Sequence, residues 1–222
     1  VENYRISLLA EDVVGLIAAS GREKAAAVVG HDWGAAVAWH TAIHFPERLD
    51  KLGILNVPHP AVMLQTLRSN PGQLLKSWYI FFFQIPGLPE RLMSGSRFAG
   101  MRRMMQVSSN PGTFPEAELD RYVEAWSQPG ALTHMIHWYR AMFRQVIGEQ
   151  GWRDPDRVGS RVQPPTLMLW GVNDIALSRE MAPESIQMCE QGKLVFLEDA
   201  THWVQHDEPG RVNELLFDFL AS

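Results

Sequence analysis

Three things are scarce in this sequence: cysteine, long apolar runs and clustered charge of one sign. The one cysteine, Cys189, excludes an internal disulfide framework and fits a reducing compartment. No apolar run approaches the ~20 residues of a membrane span, and the opening Val1-Glu2-Asn3-Tyr4 does not resemble a secretion signal. We therefore expect a cytoplasmic protein with no membrane partner.

The charge balance argues against a nucleic-acid partner. The 20 basic and 25 acidic residues give a net charge of −5, and the basic residues are dispersed. Arg97, Arg102 and Arg103 form the only notable basic cluster, which a solvated helix face explains. With 46% hydrophobic and 20% charged residues, the 222-residue chain is typical of one globular domain with a sizeable core.

The most informative segment is a strand-to-helix turn with a carboxylate at its centre. Residues 25–29 form an apolar strand that runs directly into Gly30-His31-Asp32-Trp33-Gly34. The spacing is that of a nucleophile elbow, in which small residues keep side chains out of a strained turn. Asp32 would stand at the apex, where the helix N-terminus favours an ionised carboxylate that attacks carbon without a base. The alternative is that Asp32 only caps the helix.

Around this turn, strands and helices alternate, with one long interruption. Apolar positions predict a first helix around residues 9–17, a helix over 35–45 and a buried strand over 52–56. From 58 to 163 the pattern becomes helical, aromatic and Met-rich, with breaks at 70–72, 86–87, 110–112 and 129–130. Alternation resumes with strand 166–170, helix 178–190, strand 194–197 and helix 212–220. We expect an α/β core from 1–57 and 164–222, and a helical cap from 58–163.

Two loops after the late strands carry an acid and a histidine. Asp174 follows strand 166–170, and His202 follows strand 194–197. The carboxyl ends of parallel strands share one edge of the sheet, so Asp32, Asp174 and His202 are predicted to converge there. Their order along the chain is that of the α/β-hydrolase triad. Taken singly, each has an ordinary explanation, as a turn aspartate or an exposed loop histidine.

At this point the chain resembles the α/β-hydrolase superfamily, and within it the epoxide hydrolase branch, which uses an Asp nucleophile. The resemblance spans nearly the whole sequence and rests on four segments: Gly30–Gly34, Phe45-Pro46-Glu47-Arg48-Leu49, Asn56-Val57-Pro58 and Asp199-Ala200-Thr201-His202-Trp203-Val204-Gln205. It implies an α/β-hydrolase fold, a mostly parallel sheet flanked by helices, with a helical cap inserted after the strand that follows the elbow.

The resemblance also implies roles for aromatic residues in the cap. Tyr79 and Tyr139 resemble the two ring-opening tyrosines of epoxide hydrolases, although either could be a cap core residue. The backbone N–H of Trp33 would bind the oxyanion. The expected pocket wall comprises Trp33, Phe81, Phe83 and Trp138. The family's His-Gly-x-Pro loop ahead of the elbow is absent from these residues, so we expect that the first strands of the sheet are missing.

These residues predict a definite reaction. Asp32 would open a small apolar epoxide while a tyrosine protonates the leaving oxygen, and water activated by His202 and Asp174 would hydrolyse the ester. No metal or organic cofactor is needed. His134 and His137 show helical ligand spacing but lack carboxylate or cysteine company. Haloalkane dehalogenation with the same Asp nucleophile and a non-catalytic binding protein stay open as alternatives. The oligomeric state is also open, a dimer included.

Overall fold

A computed structural model describes residues 1–147 and 161–222 of the chain. Its centre is one parallel sheet in the order β1-β2-β3-β4. The strands are β1 Val28–His31, β2 Leu52–Leu55, β3 Thr166–Gly171 and β4 Gly192–Leu197. Because all four run in the same direction, their carboxyl ends share one edge, as the strand pattern predicts.

Helices occupy both faces of the sheet and the long connection between β2 and β3. They are α1 Ile6–Ala19, α2 Trp33–His44, α3 Pro60–Ser69, α4 Pro71–Lys76, α5 Trp78–Phe82, α6 Leu88–Val107, α7 Glu116–Trp126, α8 Ala131–Ile147, α9 Met181–Ile186, α10 Val204–Asp207 and α11 Pro209–Ala221. The predicted α/β class, with a mostly parallel sheet flanked by helices, is confirmed. No helix in the two described ranges is both long enough and apolar enough to cross a bilayer.

Alternation along the central strands creates two cores. Ile54, Met168 and Trp170 point to one face, where they pack with α2 and α9. Leu167 and Leu169 point to the other, where α11 covers them. This double burial explains why β2 and β3 are apolar at nearly every position.

The connection between β2 and β3 has its own apolar cluster. Phe98, Phe114, Leu119, Trp126 and Leu132 pack together within helices α6 to α8 and the adjoining loops. Three of the four predicted breaks fall between helices, and the one at 70–72 marks the start of α4, which begins at Pro71. Helix α6 contains a fifth break at residues 95–98, where three consecutive residues have positive φ. Residues 148–160 of the predicted 58–163 segment lie outside the described part of the chain.

Several boundaries differ from the sequence-based expectation. The first strand begins at Val28, and Ala25 forms only an isolated bridge with Leu49. Of the helix expected over 178–190, only α9 is helical, so Cys189 does not lie in a helix. Cys189 is buried and forms an isolated β-bridge with Val162. Helix α10, directly after the His202 loop, was not predicted.

Candidate active site

The elbow between β1 and α2 has the strained geometry that its sequence predicts. Asp32 adopts φ 50° and ψ −126°, an uncommon conformation for a residue with a side chain. A Cβ on Gly30 would lie 2.3 Å from the carbonyl oxygen of Gly34, whereas a Cβ on Gly34 would meet open space. Only the first glycine is therefore required by the close approach. The Asp32 side chain accepts no helix-capping hydrogen bond, which disfavours the simple capping role.

Asp174 lies in the loop after β3 and is held by a converging set of donors. Its Oδ1 accepts hydrogen bonds from the backbone N–H groups of Ala176 (2.7 Å) and Leu177 (2.9 Å). Its Oδ2 accepts from the Asn56 amide at 2.9 Å. Burial alone would raise the pKa of Asp174, but His202 and these donors hold it below its usual range. The carboxylate is therefore kept ionised next to the histidine.

His202 lies between the two carboxylates. Its Nδ1 donates to Asp174 Oδ2 at 2.7 Å, and its Nε2 lies 3.9 Å from Asp32 Oδ1. Burial lowers the pKa of His202, but the contact with Asp174 outweighs burial, so the pKa is raised above its ordinary value. The geometry orients Nε2 towards the space beside Asp32, where a base would act.

The electrostatics of Asp32 differ from the expectation of a carboxylate ionised by the helix terminus. Burial raises its pKa, and Asp174 adds to this, while His202 and the Trp33 backbone N–H oppose it. The carboxylate is surrounded by protein, yet 48% of the side-chain surface is still accessible. Burial is the largest cause of the raised pKa, and His202 is the main group that favours the charged form.

His31 supports the loop that carries His202 and does not lie beside the reacting atoms. Its Nε2 donates to the His202 carbonyl at 2.7 Å, and its Nδ1 accepts from Gln205 at 3.2 Å. Burial and the neighbouring His202 lower its pKa to about 4, so the ring is neutral at physiological pH.

The two predicted tyrosines meet above the elbow, although they are 60 residues apart in sequence. The rings of Tyr79 on α5 and Tyr139 on α8 contact edge to face at 5.7 Å. Burial is the main cause that raises the pKa of each hydroxyl, and the Asp32 charge is the next. Both phenols therefore stay protonated and lie close enough to Asp32 to sense its charge.

The predicted pocket residues separate into two groups. Phe83 contacts the Tyr139 ring at 4.8 Å, and Trp33 contacts the rings of Tyr139 and Trp138 at 4.9 and 5.6 Å. Phe81 lies outside this group and is 51% exposed. The reason is helical geometry: residues two apart on α5 point to nearly opposite sides.

Sequence reasoning missed Arg140, which joins the two tyrosine-bearing segments. From α8, next to Tyr139, it donates to the carbonyls of Phe83 (2.9 Å) and Ile85 (3.1 Å), just past α5. It also forms a salt bridge with Glu90 at 2.6 Å. The guanidinium extends from the helix that carries Tyr139 and binds the backbone just past the helix that carries Tyr79. It therefore fixes the separation of Tyr79 and Tyr139.

A second missed residue is Asp207, whose carboxylate joins the His202 loop to the loop between α6 and α7. Its Oδ2 accepts from the backbone N–H (2.8 Å) and hydroxyl (2.5 Å) of Thr201. Its Oδ1 accepts from the Thr113 hydroxyl (2.6 Å) and the Asn110 backbone N–H (3.3 Å). We call this arrangement the Asp207 latch. Asp207 is the last residue of the short helix α10, a position that gives no sequence signal for such a distant partner.

No metal centre is apparent in the part of the chain that the structure describes. It contains no group of three or more His, Cys, Asp or Glu side chains arranged to hold an ion. The rings of His134 and His137 instead contact each other and Tyr4.

Many known proteins are similar to this chain in sequence or in fold. Residues 2–209 match the family model described as alpha/beta hydrolase fold. The AB hydrolase superfamily protein YfhM of Bacillus subtilis is 41% identical, over 100% of this chain and 74% of that protein. Epoxide hydrolase 4 of Homo sapiens is 35% identical, over 100% of this chain but only 60% of its own length. A Bacillus megaterium epoxide hydrolase, solved with an inhibitor, superposes with a TM-score of 0.87 at 27% identity, over 100% of this chain and 78% of that one.

Proposed function

The chain belongs to the α/β-hydrolase family, and we propose that it hydrolyses a small apolar epoxide to a vicinal diol through an ester formed on Asp32. Its similarity to epoxide hydrolases from animals and bacteria supports this reaction class. The chain spans about 60% of the human relative, so the activity proposed here is that of the protein containing these residues.

The tyrosine pair carries the proposal. An epoxide opens readily only when the leaving oxygen receives a proton or a strong hydrogen bond as the nucleophile attacks. Tyr79 and Tyr139 supply two phenols whose pKa values are raised, first by burial and then by Asp32, so both are protonated donors facing the nucleophile. A site for ester hydrolysis alone has no need of this pair.

In the first step, an Asp32 carboxylate oxygen forms a bond to a ring carbon as the carbon–oxygen bond of the ring breaks. The released oxygen takes a proton from Tyr79 or Tyr139. The product is a hydroxyalkyl ester of Asp32. This step uses the ionised carboxylate, the form that His202 favours and burial opposes.

In the second step, His202 Nε2 removes a proton from water, which attacks the Asp32 carbonyl carbon. The Trp33 backbone N–H lies against the carboxylate and donates to the developing oxyanion. Asp174 holds the Nδ1–H tautomer of His202 and stabilises the imidazolium. Collapse releases the diol, whose second oxygen takes the proton back from His202, and leaves Asp32 as the carboxylic acid. The Asp32 proton then returns to the tyrosinate left by the first step, which restores both groups; no metal or organic cofactor takes part.

The described helices between β2 and β3 act in this scheme as a cap, because they contribute both tyrosines. Phe83, Trp138 and the Trp33 ring give the substrate an apolar surround. A cap that closes on the substrate excludes water during the first step and strengthens the hydrogen bonds to the ring oxygen.

Dehalogenation is the second candidate, since one observation favours it. The buried Trp33 indole N–H lies near the Tyr139 hydroxyl but has no well-aligned hydrogen-bond acceptor among the described residues, and a halide leaving group needs such a donor. The tyrosine pair favours the epoxide, because two phenols serve an alkoxide better than a halide. Diol formation and halide release, measured side by side on an epoxide and a matched alkyl halide, separate the two.

Covalent trapping tests the mechanism directly. We expect His202→Gln to form the ester but fail to hydrolyse it, because only the second step needs a base. Intact-mass measurement should then show one added substrate mass, mapped to the peptide that contains Asp32. The double variant Asp32→Asn/His202→Gln is the matched control and should stay unmodified. An unmodified His202→Gln protein at saturating epoxide, with its fold verified, would contradict Asp32 as nucleophile.

A further inference from the structure

Helix α4 buries its polar Gln73 and exposes its leucines, and α5 exposes Trp78 and Phe81 while Ile80 is buried. Gln73 and Ser77 are fully buried or nearly so. Exposed large apolar residues recur between positions 74 and 92; we call them the outer face, which comprises Leu74, Leu75, Trp78, Phe81, Ile85, Leu88 and Leu92. Leu75 and Trp78 are 74% and 59% exposed. A helix in contact with water normally has the reverse arrangement.

Hydrogen bonds to the core fix this orientation. The Gln73 amide donates to the Ala176 carbonyl at 2.9 Å and accepts from the Ser178 backbone N–H at 2.9 Å. The same amide donates to the Ser77 hydroxyl at 3.2 Å. Turning the helix to bury the outer face would break these buried bonds. The apolar side is therefore held outward, and continuous apolar surface of this kind marks a contact site.

The charge around the outer face has the opposite sign to that of the whole chain. Residues 58–107 contain six basic residues and a single acid, Glu90, whereas the chain carries a net charge of −5. Glu90 is bound to Arg140. Lys76, Arg91 and Arg97 are exposed and form no salt bridge within the described ranges. Lys76, between Leu75 and Trp78, and Arg91, next to Leu92, therefore lie beside outer-face residues along the chain and have no counter-charge in the described ranges.

We propose that the outer face docks on an anionic lipid surface. Exposed Trp and Leu side chains insert at the boundary between headgroups and acyl chains, while Lys and Arg bind anionic headgroups. The sequence-based expectation of no membrane partner rested on the absence of a spanning segment, and surface docking requires none. This docking stands apart from the proposed function.

A second copy of the chain fits the outer face less well. A two-fold dimer pairs the same patch with itself, so the basic groups of one copy would face the equally basic patch of the other. Like charges facing each other across an interface oppose association. An anionic lipid surface satisfies both the apolar side chains and the basic groups.

Vesicle flotation of the full chain tests the proposal, with phosphatidylcholine vesicles that contain or lack phosphatidylglycerol. We expect binding only with phosphatidylglycerol, weakening as salt rises. Lys76→Gln/Arg91→Gln/Arg97→Gln should weaken binding roughly a hundred-fold, at about five-fold for each charge. Leu75→Ser/Trp78→Ser should weaken it by at least about ten-fold.

Matched controls lie on other surfaces. Arg22→Gln removes an exposed charge, and Phe217→Ser removes an apolar side chain that is 75% exposed on α11. Both should bind like the unmodified protein, and thermal unfolding should show every variant folded. Equal binding by all variants, or none to phosphatidylglycerol vesicles, would overturn the proposal. A dimer in sedimentation experiments that Leu75→Ser/Trp78→Ser dissociates would also overturn it, since a second copy would then cover the face.

Discussion

The Asp207 latch predicts that a change outside the proposed triad disables its histidine, His202. In Asp207→Asn, an amide nitrogen replaces one carboxylate oxygen. Either the two Thr201 bonds or the two bonds to Thr113 and Asn110 then lose their acceptor. Because Thr201 directly precedes His202, the first loss shifts the histidine and the second frees the loop between α6 and α7.

The size of the effect follows from the number of bonds lost. Hydrogen bonds to a charged group contribute about 1.5–3 kcal/mol each, and Asp207 is partly exposed, so the lower end applies. Two lost bonds therefore reduce the free energy of unfolding by about 2–4 kcal/mol. A displacement of His202 by about 1 Å would reduce turnover on the order of 100-fold.

Denaturant unfolding and steady-state turnover measure the two effects, with Asp218→Asn, an exposed carboxylate on α11, as the matched control. The control should change the unfolding free energy by less than about 0.5 kcal/mol. Thr113→Val removes one of the two bonds from the α6–α7 loop and leaves both Thr201 bonds, so it should cost less than Asp207→Asn. An Asp207→Asn protein as stable as the control would refute the latch.

Three further predictions concern the elbow and the chemistry. Gly30→Ala should prevent folding of the elbow, because its Cβ would lie 2.3 Å from the Gly34 carbonyl oxygen, whereas Gly34→Ala should fold normally. Circular dichroism of the two variants distinguishes them. A folded, active Gly30→Ala protein would contradict the geometry. Tyr79→Phe/Tyr139→Phe should lower diol formation by about 10²–10⁴-fold, with smaller losses for each single change, and equal rates in the double variant would exclude the pair as acid. Turnover should fall as pH drops through the raised pKa of His202, because only its neutral form is a base; an acid midpoint below the ordinary histidine pKa would contradict the sign.

The sequence predicted the parts of the site that follow from local pattern. A strand that runs into an Asp between two glycines predicted the elbow. The positions of Asp174 and His202 in the loops after two late strands predicted that both lie near it. The two tyrosines came from resemblance, since nothing in their spacing brings Tyr79 and Tyr139 together. What joins them, Arg140, binds backbone carbonyls, which any sequence provides, and so it left no signal.

Other features depend on balances that a sequence does not display. The pKa of Asp32 is decided by burial against the effect of His202, and only the packed structure reveals that burial prevails. The orientation of α4 and α5 is set by buried bonds from Gln73 to residues about 100 positions away, against the apolar pattern. Phe81 was predicted in the pocket from its place in an aromatic run, and its exposure follows from that same orientation.

The pairing of β2 with β3 across roughly 110 intervening residues has a consequence for how this scaffold can change. The entropy of closing a chain segment grows only with the logarithm of its length, so a segment this long costs about 2 kcal/mol more to close than one of ~15 residues. The helices between β2 and β3 also have an apolar cluster of their own. The sheet and its triad can therefore accept exchanged helical segments between Leu55 and Thr166 at small entropic cost. Grafting that segment from a relative onto these strands should transfer substrate preference while the hydrolytic machinery stays in place.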